Sequence, residues 1–436
     1  MYNAEAERTT LLVSYGYPPL GTPGAMRAAK FAEYLPEFGW SPGVLTSRAG
    51  YARSGEGLEG AALPRGIYRA PDIGGVKGAA AAGMRIAPTK TARRIARIVK
   101  TALIPDKDIT WFAPAVIEGR RALKEITPDV IWSTSPSITN HLVAMTLSKS
   151  VGTPWVADFR DLWVSSLAYS NGRVRRVIDT LIERRIVERA DHIVVVADSE
   201  LARLGEVYPE HREKMSVVRN GYDPSELPVD VGPDPRRFVI RHAGFFYGGE
   251  RNPSALFSAV SVLLAEGVIS AENFAVELIG TPEAEIEELI HRYSVGSVVR
   301  QIGQRPHGET LILLAQATCL LLVTHRELES LPVKFYEYCG LRRPVLALTN
   351  PGFELARILS SSLAGEVFHL DDAPGIERWL RSAVRLFETG GPSPKVPVHT
   401  ALRWTRREAA RQLALIFDST LKGRSHRSHR LLERTP

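Results

Sequence analysis

The residues with the most chemical content run Glu329-Ser-Leu-Pro-Val-Lys334-Phe-Tyr-Glu337-Tyr-Cys-Gly340, with Arg343-Pro344-Val-Leu-Ala347 behind them. The stretch follows the apolar strand-like run Cys319–Val323 and opens a helix. Ser330 is placed to cap that helix and Pro332 to lie in its first turn. The N–H groups of Ser330, Leu331 and Val333 would then face outward at a positive helix end, ready for an anion. Lys334, one turn in, adds a point charge. Glu329 stands before the helix and Glu337 inside it, and such carboxylates accept hydrogen bonds from the vicinal hydroxyls of a ribose or hexose. Phosphate at the helix end and hydroxyls at the acids describe a sugar nucleotide. The plainer reading is a capped surface helix, but the strand–loop–helix placement, with Gly340 and Pro344 trailing, favours a site.

Other segments have compatible chemistry. Tyr17-Pro-Pro-Leu-Gly21-Thr-Pro-Gly24-Ala-Met-Arg27 is a Gly/Pro loop running into a helix, so Gly21 and Gly24 allow close backbone approach to a ligand. Arg27 is either a ligand-facing cation or a surface residue. Asp158-Phe-Arg160-Asp161 ends a strand and either lines a site or forms a structural ion-pair cluster. Ala243-Gly244-Phe-Phe-Tyr-Gly248-Gly249-Glu-Arg251 has a strand–glycine–helix context that favours a ligand-facing turn over a Gly-rich hairpin with a solvated Arg251. Lys90, Arg93, Arg94, Arg97 and Lys100 fall without an intervening acid among Ile95, Ile98, Val99 and Leu103. This basic amphipathic pattern over residues 89–103 suits an anionic membrane surface, or else a solvated helix face over the core.

These residues need a scaffold. A chain of 436 residues suggests two or three domains. Short β-branched runs alternate with amphipathic helix-length stretches, the pattern of parallel sheets with crossover helices. Strands are expected at Thr10–Ser14, Trp40–Thr46, Asp129–Thr134, Pro154–Asp158 and His192–Val196. After a proline-rich linker, Pro224–Arg237, the pattern restarts at Phe238–His242, Ala275–Ile279, Val298–Gln301, Cys319–Val323 and Pro344–Ala347. The fold class is therefore α/β, with two Rossmann-like doubly wound parallel-sheet domains and a site expected in the cleft between them. The expected bounds are 1–228 for the first domain and 229–400 for the second. A helix over 401–422 packs back on the first, and a basic tail over 423–436 is disordered.

Composition limits the functional classes. Hydrophobic residues make up 44% and charged residues 24%, which is ordinary for a globular protein. Net charge is +7, a mild excess that suits phosphate-bearing ligands or an anionic surface, and no nucleic-acid-binding motif accompanies it. No run is long and apolar enough to span a bilayer, and the acidic N-terminus lacks the pattern of a secretory signal. Two cysteines form no disulfide framework, and no Cys/His spacing resembles a zinc site. The expectation is a reduced, cytoplasmic protein without metal or cofactor.

Glu329 and Glu337 match the two acids of the E-x7-E motif of the retaining glycosyltransferases of family four, and the sequence resembles that family over nearly its whole length. PVKFYEYCGLRRPVLAL is similar to the form found in bacterial polysaccharide enzymes. The loop at 17–27, Pro128-Asp-Val-Ile-Trp-Ser-Thr-Ser-Pro-Ser137, the Asp158-Phe-Arg-Asp161-Leu-Trp163 run and the turn at 240–253 resemble further family signatures. The resemblance implies the GT-B fold and a metal-independent, retaining hexosyl transfer from a nucleoside-diphosphate sugar, UDP-type favoured. By it Glu337 holds the ribose and Glu329 the donor sugar, Arg251 and Lys334 meet the diphosphate, and His141 is the nearest candidate for a donor-contacting histidine. Gly21, Gly24, Gly248, Ser330, Leu331 and Pro332 would complete the donor site, with Arg27, Asp158, Arg160 and Asp161 on the acceptor side. The family's usual Phe-Gly pair after the first acid is Ser330-Leu331 here. The acceptor is expected to be lipid-linked or a polysaccharide precursor, with the enzyme peripheral at the inner membrane face. The alternatives are a soluble transferase acting on a small metabolite, or a sugar-nucleotide epimerase of the same architecture. An NAD-dependent oxidoreductase is disfavoured, because no G-x-G-x-x-G follows the first strand.

Overall fold

The computed structural model describes residues 8–20, 23–48, 64–72, 103–329, 331–362, 365–391 and 395–432. Gly21, Ser330 and the basic segment up to residue 102 lie outside the described residues. The chain divides into two compact units, Met1–Arg219 with Ala409–Pro436, and Asn220–Glu408.

In the first unit seven parallel strands are described: β1 (Arg8–Val13), β2 (Trp40–Ser47), β3 (Ile67–Ala70), β4 (Val130–Thr134), β5 (Trp155–Phe159), β6 (His192–Val195) and β7 (Met215–Val217). Their order is β3-β2-β1-β4-β5-β6-β7, so strand order reverses between β1 and β4. The connecting helices are α1 (Pro23–Tyr34), α2 (Phe112–Ile126), α3 (Ile138–Val151), α4 (Arg173–Arg189) and α5 (Asp198–Val207). The strands are apolar without alternation because both faces are covered. Leu11 and Val13 of β1 enter a core with Trp111, Ile131 and Val143, while Leu12 enters another with Trp40, Trp132 and Phe417.

The second unit repeats the plan with β8 (Phe238–Ala243), β9 (Phe274–Ile279), β10 (Val299–Gly303), β11 (Cys319–Val323), β12 (Val345–Leu348) and β13 (Gly365–Phe368). These pair in the order β10-β9-β8-β11-β12-β13, reversing between β8 and β11. Helices α6 (Ser254–Ala265), α7 (Ala284–Arg292), α8 (His307–Ala315), α9 (Val333–Leu341), α10 (Glu354–Ser362), α11 (Ala373–Glu388) and α12 (Val398–Leu402) complete it. Along β11, Leu321 and Val323 pack into one core layer and Leu320 and Leu322 into the other.

The C-terminal region differs from expectation. In place of one helix over 401–422 the chain forms α12, a break, and α13 (Arg406–Leu432), which carries helix into the tail expected to be disordered. The break pairs with the segment after β7: the Tyr222 N–H donates to the Trp404 carbonyl and the Arg406 N–H to the Tyr222 carbonyl. Thr405 starts α13 by accepting the Glu408 N–H on its hydroxyl at 3.1 Å, the Ser/Thr-x-x-Glu arrangement of a helix start. Ala409, Ala410, Leu413 and Phe417 of α13 then bury against Trp40 and Trp132 of the first unit.

One buried ion pair ties the first unit together at its strand ends. Arg27 on α1 donates to both carboxylate oxygens of Asp158 at 2.9 and 2.8 Å, and both side chains are buried. Arg27 also donates to the Val218 and Arg219 carbonyls, and the Thr134 hydroxyl donates to Asp158 at 2.6 Å. Asp158→Ala leaves a buried guanidinium without its counter-charge and should lower the unfolding free energy by about 3–5 kcal/mol. Urea titration checks this, with Asp161→Ala, whose carboxylate is exposed, as a variant expected to change stability far less.

Candidate functional site

In an open parallel sheet, the place for a ligand is the carboxyl edge where strand order reverses. In the second unit that edge carries the loop after β8, with Gly244 and Arg251, and the loop after β11 leading into α9, with Lys334 and Glu337. Lys334 and Glu337 are three residues apart and so share a face of α9.

Gly244 makes the arrangement possible. Its φ is +132°, a conformation favoured only in glycine, and a Cβ there would lie 1.5 Å from Lys334 Nζ. The ammonium therefore occupies the space that any other side chain at 244 would fill. Among the described residues neither Lys334 nor Arg251 has a carboxylate within ion-pair distance; Arg251 instead stacks over the Tyr247 ring at 4.7 Å. Burial holds the Lys334 ammonium down at about 8, with Glu337 opposing the shift and Arg251 adding to it. Burial also lowers the Arg251 guanidinium from its usual range. Two buried cations, the first further depressed by the second and neither in an ion pair among the described residues, form a candidate anion site.

α9 begins at Val333 with Pro332 as its N-cap, so Pro332 precedes the first turn and does not lie in it. No side chain caps the helix among the described residues, and within its first turn the Phe335 amide donates to the Pro332 carbonyl at 3.0 Å. Leu331 is buried in the core layer with Phe335, so its side chain is structural. Glu337 is half-buried, and burial raises its carboxyl above the usual range while His307, Lys334 and Arg406 pull it back. His307 is held above its ordinary value by Glu226, whose carboxylate lies 3.6 Å away.

Several expected residues have structural partners of their own. Glu329 accepts the backbone N–H of Glu354 and so caps the start of α10. The Gly248 N–H donates to Glu283 at 2.9 Å, as the Phe246 N–H does at 2.6 Å, so this carboxylate clamps the loop from beneath. In the first unit, His141 is fully buried between Trp155 and Phe159, 2.8 Å from the Ser133 hydroxyl, and burial pushes it down to about 4. Arg27 and Asp158 neutralise each other, which rules out the reading of Arg27 as a surface residue. Arg160 pairs with the exposed Asp161 and fills the space beside Gly24, where a Cβ would lie 2.7 Å from Nη1.

The sequence reading missed His242, which is buried beside this cluster. Its Nδ1 lies 2.9 Å from the Leu321 carbonyl and must carry the proton, leaving Nε2 as a buried acceptor without a partner among the described residues. Burial, reinforced by Lys334 and Arg251, pushes the imidazole down to about 3 and keeps it neutral. The glycine ending the strand at 244 was a legible signal. Nothing local marks His307, which meets Glu337 only through packing.

Comparison with known proteins bears on the fold. Residues 24–221, nearly all of the first unit's leading segment, match the glycosyl transferase 4-like domain. Over the whole chain the structure resembles sucrose-phosphate synthase from Thermosynechococcus elongatus (TM-score 0.59, 14% identity, 98% of this chain and 100% of that one). The fold is GT-B. Anabaena HepE in complex with UDP and glucose is similar at TM-score 0.54, 14% identity and 94% and 100% coverage. UDP-GlcNAc 2-epimerase from Methanocaldococcus jannaschii is similar at TM-score 0.52, 10% identity and 94% and 99% coverage. None of the curated proteins matches the sequence.

The electrostatics of this GT-B site give a pH signature. With UDP used as a diphosphate probe, any affinity for it should fall as pH rises through about 8, where Lys334 loses its proton, and above that pH binding should take up a proton. In Lys334→Arg the fall should disappear, since a guanidinium stays charged; calorimetry across the pH range checks both. Gly244→Ala displaces the ammonium and should weaken UDP binding by about tenfold or more, the loss of one charge-assisted contact.

Proposed function

We propose that the protein is a retaining glycosyltransferase that moves a hexosyl unit from a nucleoside-diphosphate sugar, UDP-type favoured, to a lipid-linked or polysaccharide-precursor acceptor. The observation that carries this reading is the pair Lys334 and Arg251, unneutralised at the β8/β11 reversal and given room by Gly244. The glycosyl transferase 4-like match over residues 24–221 supports it, and so does a structural neighbour that holds UDP and glucose.

The two cations and the start of α9 bind the diphosphate and stabilise the charge that develops on it as the bond from its oxygen to the sugar breaks. Glu337, one turn further on, accepts from the ribose hydroxyls. The acceptor hydroxyl attacks the anomeric carbon on the face the diphosphate leaves, and its proton passes to a diphosphate oxygen. Configuration is thereby retained, and no metal or cofactor is needed because lysine and arginine supply the positive charge. Glu329, held by the Glu354 amide through one oxygen, has a second oxygen for a sugar hydroxyl. Locally the enzyme works in the cytoplasm, at the inner membrane face. No described helix is long and apolar enough to cross a membrane.

A sugar-nucleotide epimerase is the second reading, favoured by the similarity to an epimerase of this fold. Incubation with donor alone separates the two, since isomerised sugar without acceptor would establish the epimerase. For the transferase, Lys334→Ala should lower turnover by roughly a hundredfold, and Glu337→Ala should weaken nucleotide binding by about tenfold. Activity should survive EDTA, and nuclear magnetic resonance of the product should show the donor's anomeric configuration. Inverted product or loss of activity in EDTA would overturn the mechanism.

A further inference from the structure

The first half of helix α4 is built inside out, whereas Ile186 and Val187 further along enter the core of the first unit. Val174, Val177, Ile178 and Leu181 fall at i, i+3, i+4 and i+7, the spacing that normally faces a core. Here they face solvent, with Val174 79%, Val177 62% and Leu181 63% exposed. The acids of the same helix are buried instead, Asp179 at 0% and Glu183 at 1% exposure. Each acid has a complete set of partners. Asp179 accepts from Arg175 and from the Tyr169 hydroxyl at 2.8 Å, and Glu183 accepts from the Val164 amide, the Ser165 hydroxyl and the Tyr208 hydroxyl. The inward acids are thus fixed by the loop after β5, and the aliphatic stripe is left outside with nothing described to cover it.

The charges that remain on the exposed side are in positive excess. Arg173, Arg176, Arg184, Arg185 and Arg189 are exposed, and Glu188 is the exposed acid, set 3.7 Å from Arg184. An aliphatic stripe flanked by arginines fits an interface that is apolar inside and anionic at its surface. A second copy of this chain fits poorly, because a two-fold contact would bring the arginines of one copy onto those of the other. We propose that the outer face of α4 docks the protein on anionic phospholipid bilayers, with Val174, Val177, Ile178 and Leu181 inserted between headgroups and the arginines on the phosphates. The surface lies in the first unit and does not depend on what the second unit binds. The loop that leads into it begins at Arg160 and Asp161, on the carboxyl edge of the first sheet, so a lipid-borne acceptor would arrive beside that edge.

Flotation of the full-length protein with phosphatidylcholine vesicles, against vesicles of equimolar phosphatidylcholine and phosphatidylglycerol, tests this. The protein should float with the anionic vesicles at least about tenfold more than with the neutral ones, and high salt should release it. Val177→Gln with Leu181→Gln, and separately Arg184→Glu with Arg185→Glu, should each cut the bound fraction at least about fivefold. Both pairs are exposed, so melting temperature and the thermal shift with UDP should match the unaltered protein; the UDP shift reports the donor site separately. Absence of flotation at low salt, or flotation unchanged in both double variants, would overturn the proposal. So would a dimer, seen by light scattering, that Val177→Gln with Leu181→Gln dissociates, since a second copy would then cover the stripe.

Discussion

Two positive charges held close together without a carboxylate between them are the constraint around which the second unit is arranged. Lys334 and Arg251 come from different loops, and Arg251 makes Lys334 harder to protonate. An arrangement that raises the energy of the empty protein persists only if the surrounding backbone enforces it. Gly244 lets the ammonium lie against the end of β8, and the Glu283 carboxylate holds the Arg251 loop by two amides. The start of α9, with no side-chain cap among the described residues, adds partial positive charge to the same edge. His242 remains neutral beneath it, so the cluster gains no third charge.

The first unit treats charge in the opposite way. Arg27, Asp158 and Thr134 satisfy one another so fully that little is left for a ligand. Their position at the strand ends is that of a site, but their hydrogen bonds are those of a brace joining α1, β5 and the chain leaving β7. Glu200 nearby is pushed up to about 8 by burial, with Asp161 and Asp158 adding to the shift, so the edge also carries a carboxyl that is largely protonated at neutral pH. Neutral or neutralised groups at this edge suit an uncharged hydroxyl partner, whereas the cations of the second unit suit a diphosphate.

The same contrast explains helix α4. Burying Asp179 and Glu183 is tolerable because each is fully hydrogen-bonded, and that commits the other side of the helix to solvent. A helix assigned from apolar spacing alone would be docked the wrong way round.

Much of the architecture was legible in the sequence, because strands buried on both faces must be apolar without alternation, and runs such as Leu11–Val13 and Cys319–Val323 satisfy that condition locally. The edge strands β3, β7 and β13 were not legible: three or four residues at a sheet margin need no apolar run. The break before α13 was signalled by Thr405 and Glu408 and passed over in favour of a continuous helical pattern. Within the site, residue type and spacing picked out Lys334 and Glu337, and the family resemblance added Arg251, since each lies beyond a strand in a stretch of recognisable local chemistry. Tertiary structure alone assigned Glu329 to a helix cap, His141 to a core and Arg27 to a buried pair, and it alone added His242 and His307. Those outcomes depend on which distant backbone or side chain arrives beside each residue, and a polar side chain carries no local mark of the partner that will satisfy it.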